Sequence, residues 1–147
     1  MAWIGLVDPD TLLVRHVAVH GHEEGYLAEK RISSDERLPE GRGPTGTAIR
    51  KGDYCICNDI ENESVMAPWR EAALKRGYRS SAAFALKAGG RIIGTLNIYS
   101  GTAYFFQEEE EVKLLISLAD DISYATEAIE TEKLRSQTAD ALNKSET

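Results

Sequence analysis

The chain has 147 residues, 42% of them hydrophobic and 28% charged, which is the size and composition of one globular domain with a buried core. A net charge of −7 repels phosphate backbones and anionic lipid, so nucleic acid and membrane are poor partners. No apolar run is long enough to span a bilayer, and Met1 leads straight into Ala2-Trp3-Ile4 without an export signal, so the expected compartment is the cytoplasm.

Residues 2–7 are apolar and end at Asp8-Pro9-Asp10-Thr11, a turn signal. Residues 13–20 then alternate, with Leu13, Arg15, Val17 and Val19 on one face, and together the two segments predict a β-hairpin. A helical piece is expected over 22–30, followed by a polar loop over 33–43 that carries Pro39, Gly41 and Gly43. Pro44 opens a short helix and Gly52 lies just beyond its end.

Residues 54–58 predict a strand, 59–66 a loop, and 69–76 a helix after Pro68 and before Gly77. Residues 81–87 and 92–100 form a second hairpin across Ala88-Gly89-Gly90-Arg91. Gln107 starts a long helix whose first turn holds Glu108 to Glu111, favourable against the helix dipole. There Leu115, Ile122 and Ile129 repeat every seven residues, with Val112, Leu118, Ala119 and Ala125 filling the stripe. Beyond Ile129 the apolar pattern fails, so residues 131–147 read as a helical connector beyond a domain over 2–130. Strands run together rather than alternating regularly with helices, which predicts an α+β fold with a largely antiparallel sheet.

Several chemistries fail on spacing. Gly41-Arg42-Gly43-Pro44-Thr45-Gly46 matches G-x-G-x-x-G, but no apolar strand precedes it, so its glycines shape a loop rather than cradle a pyrophosphate. His16 and His20 would lie about 13 Å apart along a strand and cannot share an ion. Cys55 and Cys57 sit roughly 6.5–7 Å apart at Cα, at the edge of disulfide geometry, and read as free, inert thiols. Ser80-Ser81 has no nucleophile elbow around it.

From Gly41 onward the chain resembles the GAF family. The resemblance rests on Gly41 to Ile49, on Asp53-Tyr54-Cys55-Ile56-Cys57-Asn58-Asp59, on Gly77 to Leu86 with Gly89 to Leu96, and on Phe106-Gln107-Glu108-Glu109-Glu110 with the helix after it. It implies a central antiparallel sheet of five to six strands, the terminal helix on one face, and ligand-pocket helices and loops on the other. It also implies a helix ahead of the first strand, which this sequence does not carry. The implied work is that of a sensory input domain, dimeric, joined to a kinase, a cyclase or phosphodiesterase, or a transcription activator. No haem, bilin, cyclic-nucleotide or metal motif is present, and the cofactor stays unknown. The methionine-sulfoxide-reducing members need more cysteines, differently spaced.

The residues expected to bind a ligand are Asn58, Asp59, Trp69, Arg70, Tyr78, Arg79 and Ser81, which combine polar groups with aromatic walls. Trp69 serves equally as core or as pocket wall. Arg79 is expected to pair with Asp59 in preference to a ligand. The expected ligand is a small polar or anionic metabolite held between the sheet and residues 66–79. The alternatives are a ligand-free dimerisation module and a thiol-dependent methionine sulfoxide reductase-like enzyme.

Overall fold

A computed structural model describes residues 1–29 and 31–145, and for Glu29, Glu130 and residues 143–145 it describes the backbone only. The elements are β1 (Ala2–Val7), β2 (Val14–His20), α1 (Tyr26–Glu29), α2 (Pro44–Lys51), β3 (Tyr54–Cys57), α3 (Arg70–Lys75), β4 (Ser80–Ala88), β5 (Arg91–Ser100) and α4 (Glu109–Ser145). Five strands form one antiparallel sheet in the order β2-β1-β5-β4-β3. The fold is therefore α+β, with α4 against one face and α1, α2 and α3 over the other.

Local chemistry places most boundaries. The Asp8 carboxylate accepts the N–H groups of Asp10 and Thr11 (2.8 and 3.0 Å) and closes the β1–β2 turn. Gly52, at φ 69°, ends α2 with its N–H on the Ala48 carbonyl. Gly89 and Gly90, at φ 58° and 77°, turn β4 into β5. The helix expected over 22–30 shrinks to four described residues, Lys30 lying outside them. Glu24 and Gly25 adopt positive φ, and the Glu23 carboxylate instead caps the short α1 by accepting from Gly25 and Leu27 (both 2.8 Å).

The alternation expected along β2 is interrupted as well. A bulge shifts the pairing between Ile4↔Ala18 and Gly5↔His16, which leaves Val17 unpaired, so Arg15 and Val19 fall on opposite faces.

The back of the sheet is built from the even positions of β4, Ala82, Phe84 and Leu86, with Leu96 and Ile98 of β5. Val112, Leu115, Ile116, Ala119 and Ile122 of α4 close over them. Ser123 joins helix to sheet by accepting the Lys87 N–H (3.0 Å), next to a bulge between Leu86 and Lys87. The sevenfold stripe is only partly inward: Leu115 and Ile122 pack on the sheet, whereas Ile129 is 69% exposed and Leu118 and Ala125 face outward. A straight helix drifts about 20° per heptad, and α4 outruns the sheet after Thr126.

Candidate functional site

The front face carries the odd positions of the same strands. Cross-strand pairing sets Trp3 beside Asn97, Ala83 and Cys55 in one row, and Tyr99 beside Ser81 and Cys57 in the next. Gly5, Thr95 and Ala85 form a third row. The cover is supplied by Tyr26 and Leu27 of α1, the N-terminal turn of α2, Met66, and Trp69 with Ala73 at α3.

Close backbone approach explains the glycine motif. A Cβ on Gly43 would fall 2.6 Å from the Trp69 ring, and one on Gly46 would fall 2.4 Å from the carbonyl oxygens of Gly41 and Ser33. These glycines let α2 sink onto the sheet, where Thr45 donates to the Asn97 side-chain oxygen (2.8 Å). Asn97 in turn donates to the Trp3 and Thr95 carbonyls (both 3.3 Å).

Around Tyr99 the face becomes an aromatic chamber. Tyr26, Tyr78 and Tyr99 stand with ring centres 5.1 to 5.3 Å apart, and Trp3 lies beside them. Burial pushes the Tyr99 phenol up to about 12 and raises that of Tyr26 further. Among the described residues four buried polar atoms find no hydrogen-bond partner: Trp3 Nε1, Tyr26 Oη, Ser81 Oγ and Thr95 Oγ1. All four belong to this one face or its cover. The polar atoms of Trp3 and Tyr26 come near enough to the Tyr99 hydroxyl to favour its ionised form, without reaching bonding geometry.

The seven residues expected from sequence divide into two groups. Trp69, Tyr78 and Ser81 reach the chamber or its wall: the Trp69 Nε1 donates to the Arg31 carbonyl (3.3 Å), and the Tyr78 hydroxyl donates to the His22 carbonyl. Of the other four, Asn58, Asp59 and Arg70 build the loop after β3. Asp59 accepts from the Asn62 amide (2.8 Å), and Arg70 donates to the carbonyls of Ile60 and Glu63. Asn58 accepts the N–H groups of Phe106 on its side chain (3.1 Å) and of Tyr104 on its carbonyl (2.8 Å), tying the end of β3 to the turn that launches α4.

Arg79 does not form the expected pair with Asp59. Its guanidinium donates to the Tyr78 carbonyl (3.3 Å), and its backbone is hydrogen-bonded to Ile60 and Ser100.

The space between the sheet and Trp69 is almost filled. About 10 Å³ remains among Ile32, Pro44, Thr45, Met66, Trp69 and Tyr99, room for one water at most. A larger cleft of about 380 Å³ opens next to the chamber, behind Trp3 and Leu27, with Val14, His16, Arg31 and Ile32 on its other walls.

The thiols are quiet. Cys57 is buried and donates to the Glu63 carboxylate (2.8 Å), which also accepts the Asp59 N–H. Burial first, and then that bond, push Cys57 up to about 12, and burial raises Cys55 too. Among the described residues no three histidine, cysteine or acidic side chains gather as metal ligands, and no helix is long and apolar enough to cross a membrane.

Sequence reasoning missed Trp3, Tyr26, Thr95 and Tyr99. A signal existed in β5, where Thr95, Asn97 and Tyr99 alternate with Leu96 and Ile98. A strand apolar on one side and polar-aromatic on the other, yet covered on both, marks an inward-facing polar surface.

Known structures share this architecture. A domain assigned to a two-component sensor histidine kinase protein of Sinorhizobium meliloti 1021 superposes with a TM-score of 0.70 at 19% identity, over 91% of this chain and 83% of that one. The GAF domain region of a protein from Geobacter sulfurreducens PCA gives 0.65 at 24% identity, over 86% and 80%. The free methionine-R-sulfoxide reductase of Neisseria meningitidis, solved with its substrate, gives 0.69 at 26% identity, over 89% and 69%. No curated protein matches the sequence. The profile of the GAF domain family matches residues 1–127, and on that match, with the five-stranded sheet and its covered front face, the chain belongs to the GAF domain family.

Proposed function

We propose that this domain is a regulatory input module that takes a small polar molecule into the aromatic chamber and relays the event through α4 to an effector domain. The observation that carries the reading is the set of four unpartnered polar atoms, Trp3 Nε1, Tyr26 Oη, Ser81 Oγ and Thr95 Oγ1, on one buried face. Buried polar groups are rarely left unpaired unless something else satisfies them. A ligand with carbonyl or hydroxyl groups would do so, flanked by the faces of Tyr26, Tyr78, Tyr99 and Trp69.

Entry requires the cover to move, and the cleft of about 380 Å³ behind Trp3 and Leu27 offers the approach. Relay would run from the loop after β3 through Asn58, which holds both Tyr104 and Phe106 ahead of α4. Residues 131–147 act as the connector. Leu114, Leu118 and Ile129, all exposed, supply the seam of a parallel homodimer. Free thiols and an acidic surface suit the cytoplasm.

A catalytic role is disfavoured because both thiols resist ionisation. The ligand-free dimerisation reading has one observation in its favour, the residual 10 Å³ beside Trp69. A thermal-shift screen of small polar metabolites, read together with the fluorescence of Trp3 and Trp69, separates the two. The sensory reading expects a hit that raises the melting temperature and changes the emission of both buried indoles. A full screen without such a hit, on a chain that still dimerises, decides for the dimerisation module.

A further inference from the structure

A second open space lies at the end of the sheet where α4 departs. A cleft of about 540 Å³ runs from the β1–β2 turn past the start of β5 and the end of α2 to Thr126 of α4. Its floor is apolar, with Leu6, Ile49, Ile92 and Ile93 half-buried. Two exposed arginines stand on its rim. Arg15, which also borders the cleft beside Trp3, is the cross-strand partner of Leu6, and Arg91 begins β5.

Among the described residues neither guanidinium makes an ion pair or a hydrogen bond. The nearby carboxylate of Asp8 is committed to the N–H groups of Asp10 and Thr11, which hold it below the usual carboxylate range, with Arg15 a minor contributor. Among the described residues, two arginines without an ion pair over an apolar floor stand out on a chain of net charge −7.

We propose that this cleft is a second ligand site, for an amphipathic organic anion. Arg15 and Arg91 would clamp a carboxylate or phosphate head, for which the guanidinium fork is suited. An aliphatic or aromatic body would lie on Ile49, Ile92 and Ile93, and the volume fits a metabolite-sized occupant. Thr126 is the last half-buried position of α4 among the described residues, so the occupant touches the helix where it leaves the sheet. Any difference in its contact with two helix orientations shifts their populations. The site stands apart from the aromatic chamber and does not depend on it.

Amide NMR on the whole chain tests this, with sodium octanoate as probe and 1-octanol and inorganic phosphate as controls. Octanoate is expected to shift Leu6, Ile92, Ile93 and Thr126 saturably, with octanol and phosphate each at least about tenfold weaker. Arg15→Gln and Arg91→Gln should each weaken octanoate about tenfold, and the double variant about a hundredfold, at unchanged melting temperature. A nitroxide label on residue 138 should change mobility on saturation. The proposal is overturned if octanoate fails to bind, if octanol binds as tightly, if the double variant binds normally, or if the shifts centre on Tyr26 and Ser81. An unchanged label spectrum at saturation overturns the coupling to α4.

Discussion

Trp3, Tyr26, Ser81 and Thr95 each bring into the interior one polar atom without a partner, and each such atom costs about 1–3 kcal/mol. Their removal should therefore spare the empty domain while harming the site. Tyr26→Phe and Thr95→Val are expected to leave stability unchanged or to raise it by about 1 kcal/mol in urea unfolding, and to weaken any chamber ligand. A loss of stability would mean that the free protein already satisfies these groups. Gly43 works in the opposite sense. Gly43→Ala drives a methyl into the Trp69 ring and should cost about 1–3 kcal/mol in the same assay. The buried thiol and phenol add a pH dependence. Cys57 and Tyr99 both keep their protons up to about 12 in the fold, above their ordinary values of 9 and 10. Between those values the unfolded chain has lost protons that the folded chain still holds, so stability falls as pH rises. The expected slope is about 1.4 kcal/mol per pH unit for each group, starting near pH 9 for Cys57 and near pH 10 for Tyr99. A denaturation midpoint unchanged between pH 8 and 11 would contradict these environments.

Among the elements, α4 divides into two parts with different physics. From Val112 to Thr126 one face is held by the sheet, and Ala119 sits directly against it at 2% exposure. Ala119→Glu buries an unpaired charge and should cost more than about 3 kcal/mol or abolish folding. Leu118→Glu and Ile129→Glu lie on the outer face and should change monomer stability by less than about 0.5 kcal/mol. They should instead convert a dimer to a monomer in sedimentation, if the outer seam is the interface. Retained dimerisation in the double variant would move the interface elsewhere. α1 is the weakest part of the cover, with four residues, a Glu23 cap and positive φ at Glu24 and Gly25. It is the element most able to yield to an entering ligand.

For the molecule as a whole, one sheet separates two cores, and the two faces can be perturbed independently. The back core holds the long helix, and the front core holds the chamber. Residues after Thr126 whose side chains are described are all exposed, so ending the chain at Glu127 should leave the melting temperature within a few degrees, by circular dichroism. The same truncation removes Ile129 but keeps Leu114 and Leu118, so it should weaken self-association through the outer seam without removing it. A large drop in melting temperature would mean that the tail contributes to the fold rather than extending from it.

The sequence alone determined the element order, the hairpins, the family, and the helix that packs on the back face. These follow from local signals: the Asp8 turn, Pro44 with Gly52, the paired Gly89-Gly90, and apolar spacing along α4. Trp69, Tyr78 and Ser81, offered by the sequence as ligand-binding candidates, lie on the front face or in its wall. Tertiary structure decided the rest. Arg70 donates to the Ile60 and Glu63 carbonyls of the loop after β3 and Arg79 to the Tyr78 carbonyl, and no residue spacing reveals those partners. Ile129 is exposed because the sheet ends before the helix does. Trp3, Tyr26 and Tyr99 meet only because β1, β5 and the short α1 converge, residues far apart in the chain brought together by strand pairing and packing.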